Sequence, residues 1–233
     1  TKAIATLLKK AHPYRKWLRD EATRIRDDAR LEEELAAQAC RGEPLKALQK
    51  MYHITNEERT EIIRPNAENG QEPVGSMGDD TPMAVLSQQI RHVGDFFRQQ
   101  FAQVTNPPID PLRESIVMSL QTCLGAETNV FAPSARDAHR IILSSPVLSA
   151  SKMQQLETLA DPAFQMARID LNYDANLELS AAIKAICEQV AISIRAGHTE
   201  IVLSDKNITA DKVPANAIMV TGAVHHYLIA QGI

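Results

Sequence analysis

Asp79 and Asp80 are adjacent carboxylates set between Gly78 and Thr81-Pro82. Two neighbouring acids could hold a divalent cation or divide acid and base work between them. The same residues also make an Asx-type turn that caps a helix starting at Pro82, with Thr81 or Asp80 at the N-cap. On residue chemistry alone the turn is the better account. Just upstream, Gly75-Ser76-Met77-Gly78 has the glycines of a phosphate-cradling loop. It lacks the Lys-Ser/Thr ending such a loop needs, and it does not follow a convincing strand.

Other reactive side chains are scattered. His225 and His226 fall on a helix about 100° apart, so they cannot chelate one ion as an i, i+4 pair does. One of them is expected to be buried and hydrogen-bonded, the other half exposed. His92, His139 and His198 have no Cys or carboxylate at ligand spacing, and no metal site is expected. Cys40, Cys123 and Cys187 are odd in number and far apart, which fits reduced, inert thiols in a cytosolic protein. Ser204-Asp205 ends an apolar strand, where α/β sites collect, although an Asp there more simply caps the following turn. No Ser/His/Asp or Cys/His nucleophile can be assembled.

The elements that would position these groups follow from periodicity. Leu18, Ala22, Ile25 and Ala29 predict one long helix over residues 14–39, flanked by charges of both signs. Pro44 starts a short helix to Met51, and Thr55 with Glu58 predicts a capped helix that stops before Pro65. Phe96, Phe97, Phe101 and Val104 suggest a short helix, and residues 112–124 another, with Pro111 in its first turn and Gly125 as its stop. Arg140-Ile141-Ile142-Leu143 is a candidate strand, and residues 151–159 are helical. In the last third, residues 167–171 form a strand. Leu179, Ile183, Ile186, Val190 and Ile194 mark an amphipathic helix that ends near Gly197. Residues 200–205 then read as a buried parallel strand, and residues 215–231 as an almost wholly apolar helix. Strand, helix, strand and helix at these lengths give a βαβα unit.

Composition sets outer limits. The 233 residues are 44% hydrophobic and 23% charged, as in ordinary globular chains. A net charge of −4 argues against a nucleic-acid partner. No apolar run approaches the roughly 20 residues of a membrane helix. The start at Thr1 and the finish at Gly232-Ile233, straight after an apolar stretch, read as ends cut from something longer. Residues 72–82 and 101–111 are dense in Gly, Pro, Asn and Asp yet adjoin apolar and aromatic side chains, a mixture suited to shaped, partly buried backbone.

Those segments carry a family resemblance. Pro65-Asn66-Ala67-Glu68-Asn69-Gly70 with Glu72-Pro73-Val74-Gly75-Ser76-Met77-Gly78-Asp79-Asp80-Thr81-Pro82, then residues 101–111, then Thr221-Gly222-Ala223-Val224-His225-His226, resemble in order and spacing the central domain of the large (alpha) chain of glutamate synthase. The likeness covers roughly residues 12–233, and the mixed-charge N-terminal helix is most similar to the bacterial, pyridine-nucleotide-dependent form. The resemblance implies an enzyme that converts glutamine, 2-oxoglutarate and two electrons from NADPH to two glutamates. It implies an amidotransferase domain with an N-terminal Cys, an internal ammonia tunnel, an FMN-binding barrel and a 3Fe-4S cluster, with FAD and NADPH on a small (beta) subunit. It further implies a cytoplasmic location, and for this segment the role of joining the amidotransferase to the FMN domain.

The expected fold class is α/β: a helical N-terminal region followed by βαβα units, like a rudimentary, incomplete (β/α) barrel with a short parallel sheet. The expected division is a helical linker over residues 1–64 and an α/β central domain over residues 65–233. Thr1 is not the nucleophilic Cys, and the three cysteines are too dispersed for an iron–sulfur centre. No catalytic, cofactor-binding or metal-binding residue is therefore expected in this chain, which should be inert alone. Ser76, Met77, Gly78, Asp79, Asp80, Thr81 and Pro82 are expected at the interdomain surface near the tunnel. Two other readings compete. One is an independent α/β ligand-binding module with its site at the strand ends around Leu171 and Ser204. The other is a helical interaction protein built on residues 14–63.

Overall fold

A computed structural model describes residues 2–39, 41–69, 73, 82, 84–97, 108–126 and 128–233. They pack as two units, Thr1–Ala37 with Leu120–Ile233, and Gln38–Ser119. In chain order the first unit holds helices α1 (Lys2–Ala11) and α2 (Tyr14–Glu21), strand β1 (Thr23–Arg24) and helix α3 (Ala29–Gln38). The second holds α4 (Glu43–Met51), α5 (Arg64–Asn69) and α6 (Pro111–Val117). The chain then returns to the first unit with β2 (Thr122–Leu124), β3 (Ile141–Leu143), α7 (Ala150–Glu157), β4 (Met166–Asp170), β5 (Asn172–Asp174), α8 (Leu179–Arg195), β6 (Glu200–Ser204), β7 (Lys212–Pro214) and α9 (Ala217–Ala230).

The last third follows its sequence pattern. β4 and β6 pair in parallel, Met166 opposite Glu200 through Asp170 opposite Ser204, with α8 as the crossover. This is the predicted βαβα unit, and among the described residues the strands do not close into a barrel. Ile169, Leu171, Ile186, Cys187, Val190, Val220 and Val224 form its core, with Leu171, Val190 and Val220 fully buried. Each such side chain contributes about 1.5–3 kcal/mol on leaving water. α8 ends as expected at Gly197, whose φ of +103° suits glycine. Gly197 N–H donates to the Ile194 carbonyl (2.9 Å) and His198 N–H to the Ser193 carbonyl (3.2 Å), the reciprocal pattern of a Schellman stop. Asn216 caps α9, its side chain accepting from Ile218 and Met219 N–H. β6 is half-buried rather than fully buried, because the parallel pair is only two strands wide. An antiparallel pair, β5 with β7, was not foreseen; three-residue strands leave too little alternation to read.

The predicted helix over residues 14–39 is broken. Residues 23–24 form β1, parallel to β3. Thr23 N–H donates to the Arg140 carbonyl (2.9 Å), and Ile25 N–H to that of Ile142 (3.3 Å). Ile25 is buried beside Ile141, Leu143, Leu156 and Phe164. β-branched Thr23 and Ile25 gain more from that core than from another helical turn, so packing overrides periodicity. The helix expected over residues 112–124 is likewise only α6 at its start, with Asp110 as N-cap and Pro111 in the first turn. Its second half is β2, antiparallel to β3.

In the second unit the Thr55–Glu58 capping box is present. Glu58 accepts from Thr55 N–H (2.9 Å), and Thr55 Oγ1 accepts from Glu58 N–H (3.0 Å). The helix nevertheless runs past Pro65: Glu58–Ile63 is wound as a π-helix, and α5 continues to Asn69. The π turn immediately precedes Pro65, and its wider i→i+5 spacing, seen in Arg64 N–H donating to the Arg59 carbonyl, lets the helix run through the residue that lacks an N–H. Val93–Phe96 is a 3-10 turn, while Phe101 and Val104 lie outside the described residues. No helix starts at Pro82 among the described residues, where 84–92 are turns and bends.

Candidate functional site

Of the seven residues expected at the interdomain surface, Ser76, Met77, Gly78, Asp79, Asp80 and Thr81 lie outside the described residues, and Pro82 is exposed.

The ends of the parallel strands are polar, and their groups bind mostly to one another. Asp170 Oδ1 accepts from Asn172 N–H (2.9 Å) and from Asn172 Nδ2 (2.6 Å). Burial pushes the Asp170 carboxyl up, but the Asn172 hydrogen bonds, Lys212 and Asn207 outweigh it and hold the group below its ordinary range. Ser204 Oγ accepts from Lys206 N–H (3.4 Å), the turn-capping role foreseen for this position but performed by the Ser. Arg168 is ion-paired with Glu157. Asn172 Oδ1 is buried without a hydrogen-bond partner. The cluster thus ties β5 back onto β4 and offers no converging set of free groups to a ligand.

His225 and His226 are both exposed, their rings 5.5 Å apart at 65°. The expected buried partner is absent because α9 turns Val220 and Val224 to the core, not the pair that follows. Sequence reasoning missed the pairing of His139 with Asp161, 22 residues apart, at 2.9 Å between Nε2 and Oδ2. Asp161 is held below the ordinary carboxylate range first by Ala163 N–H and then by His139. It also missed buried Lys152, whose ammonium meets Asp27 at 2.7 Å. Beside it, Glu32 is held low by Ser149 and Ser151 and accepts from Ser151 N–H at 3.1 Å. Both sets pin segments distant in sequence, and Lys152 Nζ also donates to Ser144 Oγ at 3.4 Å. Only spatial proximity reveals such partners.

Cys187 is buried and its thiol pushed up, chiefly by burial. Cys123 is exposed. Among the described residues no three His, Cys, Asp or Glu side chains gather to hold a metal ion. Cys123 and Cys187, the cysteines among the described residues, are not gathered as the thiolates of an iron–sulfur cluster are. No helix among the described residues is long and apolar enough to cross a membrane.

No described residue of 38–119 is buried. Leu86 is 94% exposed, and on one face of α6 Leu112 and Ile116 are 88% and 76% exposed. Leu86 lies in a turn and Leu112 and Ile116 on α6, so the exposed apolar side chains come from more than one element of this unit.

The chain can then be placed among known proteins. A family profile described as "Glutamate synthase central domain" matches residues 47–233. The chain is 35% identical over 232 residues to the glutamate synthase (NADPH) large chain of Bacillus subtilis, a match over 99% of this chain and 15% of that protein. It is 40% identical over 183 residues to the glutamate synthase (NADH) of Schizosaccharomyces pombe, over 76% of this chain and 9% of that one. It is 35% identical over 228 residues to a ferredoxin-dependent glutamate synthase of Synechocystis, over 95% and 14%. The chain therefore spans a small part of the length of each relative. On the profile and these identities together, the chain belongs to the glutamate synthase central domain family.

Proposed function

We propose that this chain is the central segment of a cytoplasmic glutamate synthase large chain, the enzyme that makes two glutamates from glutamine, 2-oxoglutarate and two electrons. In it the segment holds the glutamine amidotransferase domain and the FMN-binding domain in fixed relation, and residues 76–82 help to wall the passage that carries ammonia between them. FMN and a 3Fe-4S cluster belong to the rest of the large chain, FAD and NADPH to the small subunit, and the reaction itself to those neighbours.

The observation that carries this reading is the unburied middle of the chain. A segment that exposes Leu86, Leu112 and Ile116 while spanning 15% of its Bacillus relative's length is built to be covered by the remainder. The relatives add a second support. Proteins named for NADPH, NADH and ferredoxin match at 35–40% identity alike, as expected of a segment that never meets the electron donor.

The test is coupling. In the full-length enzyme, Leu112→Asp with Ile116→Asp should lower glutamine-dependent glutamate synthesis at least tenfold. Synthesis from added ammonia should stay within about threefold of the parent, because a misplaced junction leaks ammonia without damaging the flavin site. Equal loss of both activities, or no loss of either, would contradict the reading.

A further inference from the structure

Charge is segregated along this chain. Residues 2–26 hold eight Lys or Arg and two acids, a surplus of six positive charges, while the chain as a whole is −4 and residues 27–233 therefore carry −10. Within the basic stretch Asp20 is already taken by Arg19 (2.9 Å) and Lys16 (3.2 Å). Among the described residues no ion pair is recorded for Lys9, Arg15, Arg24 or Arg26. Surface this basic, on a chain otherwise acidic, attracts an anionic partner.

The cations line real concavities. One cleft of about 660 Å³ is walled by Leu8, Lys9, His12, Pro13 and Tyr14 together with Arg15 and Arg19. A second, of about 630 Å³, is walled by Leu18, Ala22, Arg24 and Arg26 and shares Arg15 and Arg19 with the first. The two adjoin along α2. Two further observations point to an occupant. His12 Nδ1, which lines the first cleft, is buried without a hydrogen-bond partner among the described residues, a state a polar group of an occupant would relieve. On α1, Ile4, Leu7 and Leu8 stand exposed at i, i+3 and i+4, an apolar stripe with nothing on it.

We propose that α1, α2 and β1 form a docking groove for an acidic, amphipathic segment of the longer polypeptide, whose carboxylates meet Arg15, Arg24 and Arg26 and whose apolar side chains cover Ile4, Leu7 and Leu8. This rests on the reading above that the chain is one domain of a much longer protein. The cations are spread along α2 and beyond it rather than converging on one point. That suits a run of carboxylates on an extended partner, not a compact phosphate. A nucleic acid would leave the apolar stripe uncovered and would meet repulsion from the acidic remainder of the chain.

The test uses the full-length protein and a water-soluble carbodiimide, which joins an amine to a carboxylate already in contact. Lys9 or Lys16 should be found linked to an Asp or Glu outside residues 1–233. The yield should fall at least fivefold in Arg15→Glu with Arg24→Glu and in 1 M salt, and recover in Arg15→Lys with Arg24→Lys. The Lys152–Asp27 link, 2.7 Å apart and made by neither substituted residue, should form in every variant and so shows that the fold around β1 persists. With that control intact, links from Lys9 and Lys16 only to Asp20 or other acids of residues 1–233 would overturn the groove. So would RNA that co-purifies with the parent and is lost from the glutamate variant. A natural gene product of only 25.7 kDa would defeat the domain reading and the groove with it.

Discussion

Residues 166–230 and residues 84–118 are built from the same apolar side chains and use them in opposite ways. In the first, Leu171, Val190 and Val220 are sealed between a parallel strand pair and two helices. In the second, Leu86, Leu112 and Ile116 project into solvent. Where strand and helix patterns in one stretch complement each other, a core closes locally. Where the described helical and turn segments have no sheet of their own to pack on, the same hydrophobicity stays exposed. The contrast teaches that apolar pattern alone does not distinguish a buried core from an exposed face.

The sharpest way to break this comparison is a matched pair of substitutions in the 233-residue segment. Ile186→Asp puts a charge among Val190, Leu171 and Val220 and should cost several kcal/mol, about 3–5. Leu86→Asp, at 94% exposure, should stay within about 0.5 kcal/mol. Urea unfolding of both proteins decides it. A parent-like midpoint for Ile186→Asp would mean that the buried face of α8 is misassigned.

Ile25→Ala sharpens the account at the point where sequence and structure part. In a solvated helix the change would be nearly neutral. Beside Ile141 and Phe164 it should cost about 2–4 kcal/mol, again read as a shift in urea midpoint. Gly125→Ala comes next. Gly125 sits at φ +137° after β2, and a Cβ there would lie 3.4 Å from Arg140 Cγ and Phe164 Cε1. A loss of about 1–3 kcal/mol is expected, mostly from backbone strain.

The smallest effect is electrostatic. Burial raises the Glu200 carboxyl above its ordinary 4.5. The folded state then binds the proton more tightly than the unfolded one. Its contribution to stability is present below that ordinary value and lost as pH rises through the folded one. Glu200→Gln should therefore raise the melting temperature slightly at pH 8 and leave it unchanged at pH 4. A variant that stabilises equally at both would show that burial of the charge is not the cause. Asp161, held low by Ala163 N–H and His139, runs the other way, its stabilisation disappearing as pH falls.

Much of the last third was legible because its signals agree. Leu179, Ile183, Ile186, Val190 and Ile194 keep helical spacing, Gly197 stops the helix, and an apolar strand follows. β1 and β2 were illegible because two- and three-residue strands carry no periodicity of their own. Thr23 and Thr122 become extended only because β3, over a hundred residues from one and about twenty from the other, supplies the edge. The π turn before Pro65 escaped for a related reason, since proline marks a break but not how the backbone absorbs it. Family membership was legible in the Gly/Pro-rich segments. The tie between Lys152 and Asp27 was not, because its members are 125 positions apart.

Amide hydrogen exchange tests the central claim most directly, comparing the isolated 233-residue segment with the full-length protein that contains it. The account predicts strong protection of β4, α8, β6 and α9 in both samples. It predicts fast exchange of residues 84–97 and 111–117 in the segment, slowed at least tenfold in the full-length chain where neighbours cover them. Equal protection of those residues in the two samples would contradict it.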